Sequence, residues 1–74
     1  MSKLPAVTGR QAVTAFSKIG YSVRRTTGSH HIMAKSGHRL LSIPVHGNKT
    51  LKPGTLRGLI RGAGITVEEF CDLL

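Results

Sequence analysis

The chain has 74 residues, with 11 Lys and Arg against three Asp and Glu, four His and one Cys, for a formal net charge of +8. This length allows a single domain over 1–74 with a thin core, burying roughly 60–65% of the unfolded surface. A hydrophobic content of 39% excludes a disordered chain, the lone Cys71 excludes an internal disulfide, and no apolar run approaches the length of a membrane span.

The charge is unevenly placed. Glu68, Glu69 and Asp72 are the only acids, so residues 1–67 carry all 11 cations and no anion. Solvated faces usually mix signs, whereas a surface of one sign attracts polyanions, which points to a nucleic-acid partner. No strongly apolar, Lys-rich helix suggests a membrane surface. With one Tyr, two Phe and no Trp there are few platforms for base stacking. The N-terminus Met1-Ser2-Lys3-Leu4-Pro5 lacks the apolar run of a signal peptide, so a cytoplasmic protein is expected.

Residues 1–7 read as an extended lead-in. Thr8-Gly9-Arg10-Gln11 has capping-box spacing, and Ala12, Val13, Phe16 and Ile19 follow at helical spacing before Gly20. A first helix is expected over about 9–19. Tyr21 to Arg25 alternates, which predicts a strand with Tyr21 and Val23 inward, followed by turn chemistry in Thr26-Thr27-Gly28-Ser29. A second strand is expected over about 30–35, a two-residue turn at Ser36-Gly37, and a third strand over about 38–45 with Leu41, Ile43 and Val45 on one face. Pro44 lacks an N–H and places that strand at an edge.

His46 to Lys52 is a polar, basic connection. Pro53 suits the first turn of a helix that places Leu56, Leu59, Ile60 and Ala63 on one face and stops at Gly64. Gly58 and Gly62 each cost that helix about 1 kcal/mol relative to Ala, which close packing on the sheet would explain. Thr66-Val67-Glu68-Glu69 is a second capping box, with Ile65 and Phe70 placed as its hydrophobic staple, opening a last helix over 67–73 that holds Cys71. The expected architecture is α+β: a helix, three antiparallel strands, a helix and a short C-terminal helix. The helices cover one face of the sheet and leave the other for a partner, as in a double-stranded-RNA-binding domain.

The residue types constrain the chemistry. His30 and His31 are adjacent on a strand and point to opposite faces, and no carboxylate precedes residue 68. Neither a zinc site nor a two-metal nuclease site is therefore expected, and no cofactor is called for. Gly47 to Gly54 lacks the Gly-Lys-Ser/Thr of a nucleotide loop. Pro53-Gly54-Thr55 at a helix start, flanked by Lys49 and Lys52, can be either an ordinary helix start or a seat for one backbone phosphate.

A site without metal or acids can still cleave RNA, whose 2′-hydroxyl is its own nucleophile. Histidine, with an ordinary pKa near 6.5, suits the proton transfers, and Arg or Lys suits the charge. If Ser36-Gly37 closes a regular hairpin, position 30 faces 43, 32 faces 41 and 34 faces 39. His30 then shares the apolar face of Ile32, Leu41 and Ile43. Either it stands at the rim, or a bulge re-aims it, or it is a half-buried histidine hydrogen-bonded to the turn, the reading the alternation alone favours.

Three blocks of sequence carry a resemblance: Gly28-Ser29-His30, then Pro44-Val45-His46-Gly47-Asn48-Lys49-Thr50-Leu51-Lys52-Pro53-Gly54-Thr55-Leu56, then Ile60-Arg61-Gly62-Ala63-Gly64-Ile65-Thr66. Together they resemble the HicA (YcfA-like) family of type II toxins. The resemblance implies an mRNA-cleaving endoribonuclease that needs no ribosome and is neutralised by a HicB-type antitoxin. It places the active-site histidine on His30 with Gly28 beside it, gives His46 a supporting position in the substrate site, and finds no match for His31 or His38. Gly28 and Ser29 would let a phosphate approach the backbone, and Arg24, Arg25, Arg39, Lys49 and Lys52 are the candidate phosphate clamps. The alternatives are a non-catalytic RNA-binding module, with the same charge signature, and a structural subunit whose basic face meets an acidic protein.

Overall fold

A computed structural model describes residues 3–74; Met1 and Ser2, the start of the expected lead-in, lie outside the described residues. The elements run α1 (Gly9–Ser17), β1 (Ser22–Thr27), β2 (His30–Ala34), β3 (Leu41–Pro44), α2 (Pro53–Ala63) and α3 (Val67–Cys71). The strands form one antiparallel sheet in the order β1-β2-β3, so Pro44 ends an edge strand as expected. The arrangement is the α+β, double-stranded-RNA-binding-like one.

Local chemistry sets the helix starts. The Thr8 hydroxyl accepts from the Gln11 N–H at 3.1 Å, and the Gln11 side chain accepts from the Thr8 N–H at 2.8 Å. Thr66 and Glu69 repeat this box at α3, with bonds of 3.0 and 2.8 Å. Each box satisfies two N–H groups that a bare helix end leaves orphaned. α1 stops two residues before the expected position, because the chain leaves through a turn at Lys18–Gly20 in which Gly20 takes φ +102°. α3 likewise ends at Cys71 rather than 73.

The core lies between the helices and one face of the sheet. α1 supplies Ala12, Ala15 and Phe16, the sheet Met33, Leu41 and Ile43, α2 Leu56, Leu59, Ile60 and Ala63, and α3 Phe70. Phe16 is its hub: its ring meets Tyr21 edge-on at 6.0 Å and Phe70 at 5.2 Å, tying α1 to the sheet entry and to α3.

Three strand expectations are corrected. β1 runs on through Thr26 and Thr27, leaving Gly28-Ser29 as the whole turn. Val23, expected inward, is 42% exposed. It pairs with buried Met33 and shares its face, but it stands on the edge strand beside a bulge at Arg24, where the helix layer does not close over it. The third correction has the largest consequence. The β2–β3 connection is not a two-residue turn but the six-residue stretch 35–40, and β3 begins at Leu41, not 38. The pairs are therefore His30–Pro44, His31–Ile43, Ile32–Ser42 and Met33–Leu41, one residue out of the expected register. Because strand side chains alternate, a slip of one residue exchanges the faces. His31 and Met33 go to the helix side, and His30 and Ile32 to the open side. No bulge lies at His30.

Two glycines set the helix–sheet distance. Gly9 is buried at the start of α1; a Cβ there would land on the Pro44 carbonyl oxygen and stand 2.9 Å from its carbon. Gly62 lies against the sheet, where a Cβ would stand 3.3 Å from Leu41 Cδ2. Gly58, expected to be close-packed as well, has nothing within 4 Å of its Cβ position.

Gly9→Ala is expected to destabilise the fold by about 1–3 kcal/mol, since the obstacle is backbone that cannot step aside. Gly58→Ala is expected to stabilise it by about 0.5–1 kcal/mol through helix propensity. Urea unfolding of the two variants against wild type measures both.

Candidate functional site

The site is built where β2 begins and β3 ends. Gly28-Ser29 closes the β1–β2 hairpin, Gly28 taking φ +56°, the sign required at the first central position of a type II′ turn. The next residue is His30. Pairing with Pro44 puts it on the face away from the core, and it is exposed.

The polar connection after β3 folds back beside it. Ser29 accepts from the Val45 N–H at 2.6 Å, extending the pairing one step past β3. His46 follows, its carbonyl accepting from the Lys49 N–H at 3.0 Å in a turn where Gly47 has φ +55°. The N-terminal lead-in holds the far side: Thr8 and Thr50 form an antiparallel bridge, and the Leu51 N–H donates to the Val7 carbonyl at 2.8 Å. The lead-in is thus a clamp on the connection, a role its sequence did not signal.

His30, Pro44, His46, Lys49, Thr50, Lys52 and Thr55 line one open cleft of about 400 Å³. Four residues singled out from the sequence therefore converge: His30, His46, Lys49 and Lys52. Ser29 sits at the margin, its Oγ 3.4 Å from His46 Nε2. Thr50 and Thr55 are additional walls. Thr55 could have been found, since it belongs to the Pro53-Gly54-Thr55 helix start already suspected of seating a phosphate. Thr50 carried no signal of its own, because its bridge to Thr8 joins segments remote in sequence.

The helix start differs from the other two. Lys52 is the N-cap of α2 and makes no side-chain cap bond, and Pro53 has no N–H. The N–H groups of Gly54 and Thr55 face outward from the positive end of an 11-residue helix, the geometry that anions occupy. With Lys49 and Lys52 on the wall and no carboxylate among the lining residues, the fixed side-chain charge in the cleft is positive.

The remaining candidates lie elsewhere. Arg25 pairs with Ile32, placing it on the open face of the sheet that His30 shares, outside the cleft. Arg24 is the extra residue of the edge-strand bulge. Arg39 lies in the β2–β3 connection, at the other end of the hairpin, where its carbonyl accepts from the Tyr21 hydroxyl at 3.5 Å. His31 faces the helices: it is half-buried, and its Nδ1 is buried with no hydrogen-bond partner among the described residues. The half-buried histidine considered for position 30 is thus at 31. His38 bonds only locally, to the Ser36 carbonyl at 3.1 Å.

Among the described residues, no three His, Cys, Asp or Glu side chains are grouped as a metal site. No helix there is long and apolar enough to cross a membrane. Comparison with curated proteins finds no match. A family profile described as the HicA toxin of bacterial toxin-antitoxin systems matches residues 9–65, from the first residue of α1 to just past α2, and so spans the whole cleft. The chain belongs to the HicA toxin family of bacterial toxin-antitoxin systems.

Proposed function

We propose that this toxin is an endoribonuclease that cleaves mRNA in the cytoplasm, with His30 as proton-transfer group and without a metal, and that a HicB-type antitoxin neutralises it. The observation that carries this reading is the placement of an exposed imidazole in a cleft that is also lined by Lys49 and by Lys52 and Thr55 of a helix start without a side-chain cap.

The chemistry follows from what each group can do. RNA supplies the 2′-hydroxyl nucleophile, and the protein must accept its proton. Imidazole is a side chain suited to that transfer, and His30 supplies one. Lys49, Lys52 and the Gly54 and Thr55 N–H groups offset the charge that gathers on the phosphate as it becomes five-coordinate. Gly28 has no side chain, and Ser29 has a small one, so a backbone phosphate can come close to the turn that launches His30. His46 lies in the same cleft and contacts the substrate. Arg25, with Arg24 and Arg39 beyond it, extends positive charge along the route of the strand rather than at the scissile bond.

His30→Ala is expected to leave the thermal unfolding transition unchanged, because the ring is exposed, while cleavage of a transcript falls by about 10²–10⁴-fold and induced growth arrest is lost. A variant that binds RNA as wild type does and cleaves it equally fast would reject His30 as the acid/base. If wild type itself binds RNA and leaves it intact, the protein is a binding module.

Lys49→Gln and Lys52→Gln should each weaken binding to single-stranded RNA and lower the slope of log affinity against log salt by about 0.7. Titrations at several salt concentrations measure this, and an unchanged slope would remove that lysine from the phosphate contacts.

A further inference from the structure

We propose that His46 is the general acid of the cleavage, protonating the 5′-oxygen that departs while His30 takes the proton of the attacking 2′-hydroxyl. This rests on the ribonuclease reading above and adds to it the assignment of the second proton.

The end of β3 and the connection after it bring the two rings to one cleft. His30 pairs with Pro44, the last residue of β3, and the chain that leaves Pro44 carries His46 into the lining of the same cleft. Ser29 joins the two segments twice. Its carbonyl accepts from the Val45 N–H at 2.6 Å, and its hydroxyl lies 3.4 Å from His46 Nε2. The Lys49 N–H bond to the His46 carbonyl fixes the backbone on the other side. His46 is therefore held through its backbone, and its ring has one polar contact, with the residue preceding His30.

The cleft needs such a group. An RNA 5′-alkoxide is a poor leaving group and departs readily only when it is protonated. The groups with transferable protons or charge around the cleft are His30, His46, Lys49 and Lys52, with the Thr50 and Thr55 hydroxyls. Of these, imidazole is the side-chain type that both gives and takes a proton in general acid–base chemistry. With one imidazole engaged as base, the other is left for the acid.

The step balances. The 2′-hydroxyl proton passes to the His30 imidazole as the bond from O2′ to phosphorus forms. The bond from phosphorus to O5′ breaks, its electron pair stays on O5′, and that oxygen takes a proton from the His46 imidazolium. The products are a 2′,3′-cyclic phosphate and a free 5′-hydroxyl, with His30 protonated and His46 neutral. In the imidazolium the Nε2–H donates to Ser29 Oγ, and the Nδ1–H is left for the leaving oxygen.

The test removes the need for the acid. A cleavage position is mapped in a transcript cut by wild type, and an oligonucleotide spanning it is made with either oxygen or sulfur at the bridging 5′ position. A thiolate leaves without protonation. His46→Ala is expected to lose about 10²–10⁴-fold on the oxygen substrate and to stay within about tenfold of wild type on the sulfur one. Ser29→Ala should show a smaller loss with the same recovery. Because the result is a ratio between two substrates on one preparation, partial loss of folded protein cancels. Equal loss on both substrates would mean that His46 only binds, and full activity on the oxygen substrate would mean that it has no part; either overturns the proposal. His30→Ala is run beside it and should be slow on both. Wild-type rates for His30→Ala with sulfur recovery for His46→Ala would reject the assignment of His30 and leave His46 standing, and no cleavage by wild type would reject both.

Discussion

The pairing of Met33 with Leu41 is the constraint on which the site depends. Both side chains are buried against the helices, Met33 completely, and together with Ile43 they hold the sheet's half of the core. Once those residues face inward, strand geometry leaves no choice for the others: His31 must share their side and His30 must take the opposite one. A hairpin closed tightly at Ser36-Gly37 would have turned His30 into the core and exposed Met33. The six-residue connection lets the apolar residues choose the register, and its own Leu40 stays 66% exposed. The hydrophobic effect acting on Met33, Leu41 and Ile43 is thus what presents the histidine to solvent.

The second half of the cleft depends on contacts between remote segments. The connection between β3 and α2 is polar and would have little reason to adopt one conformation alone. It is held at Val45 by the β1–β2 turn, at Thr50 and Leu51 by the lead-in, and at Pro44 by the start of α1, which approaches so closely that only glycine fits at position 9. Contacts of this kind bring His46, Lys49 and Lys52 into one cleft with His30, so that a ligand bound there would have less ordering to impose.

The charge distribution and the helix ends follow one pattern. α1 and α3 close their starts with capping boxes, and α3 carries all the acids in or just after it. The start of α2 has no side-chain cap and faces the cleft with lysines beside it. An anion at that position would satisfy N–H groups that the protein leaves free. Membership of a toxin family, and with it an antitoxin partner, fits a small protein whose cleft is exposed and already assembled.

Much of this was legible in the sequence because it is encoded locally. The helix starts at Thr8 and Thr66, the stop at Gly64, the apolar stripe of α2 and the segregation of charge each depend on residues a few positions apart. So does the family likeness, carried by Gly28-Ser29-His30 and the block from Pro44 to Leu56. What the sequence could not settle depended on pairing across distance. The β2–β3 register was open because Ser36-Gly37 is good turn chemistry and a longer loop costs little extra entropy, so local signals favoured the wrong pairing. The different fates of Gly58 and Gly62 were open because helix periodicity does not say which glycine meets Leu41. Composition and short-range order determined a basic α+β domain with a histidine at a hairpin, whereas which way that histidine points, and which cations and second histidine stand beside it, was decided only when burial of Met33, Leu41 and Ile43 set the strands against each other and the lead-in closed on the connection.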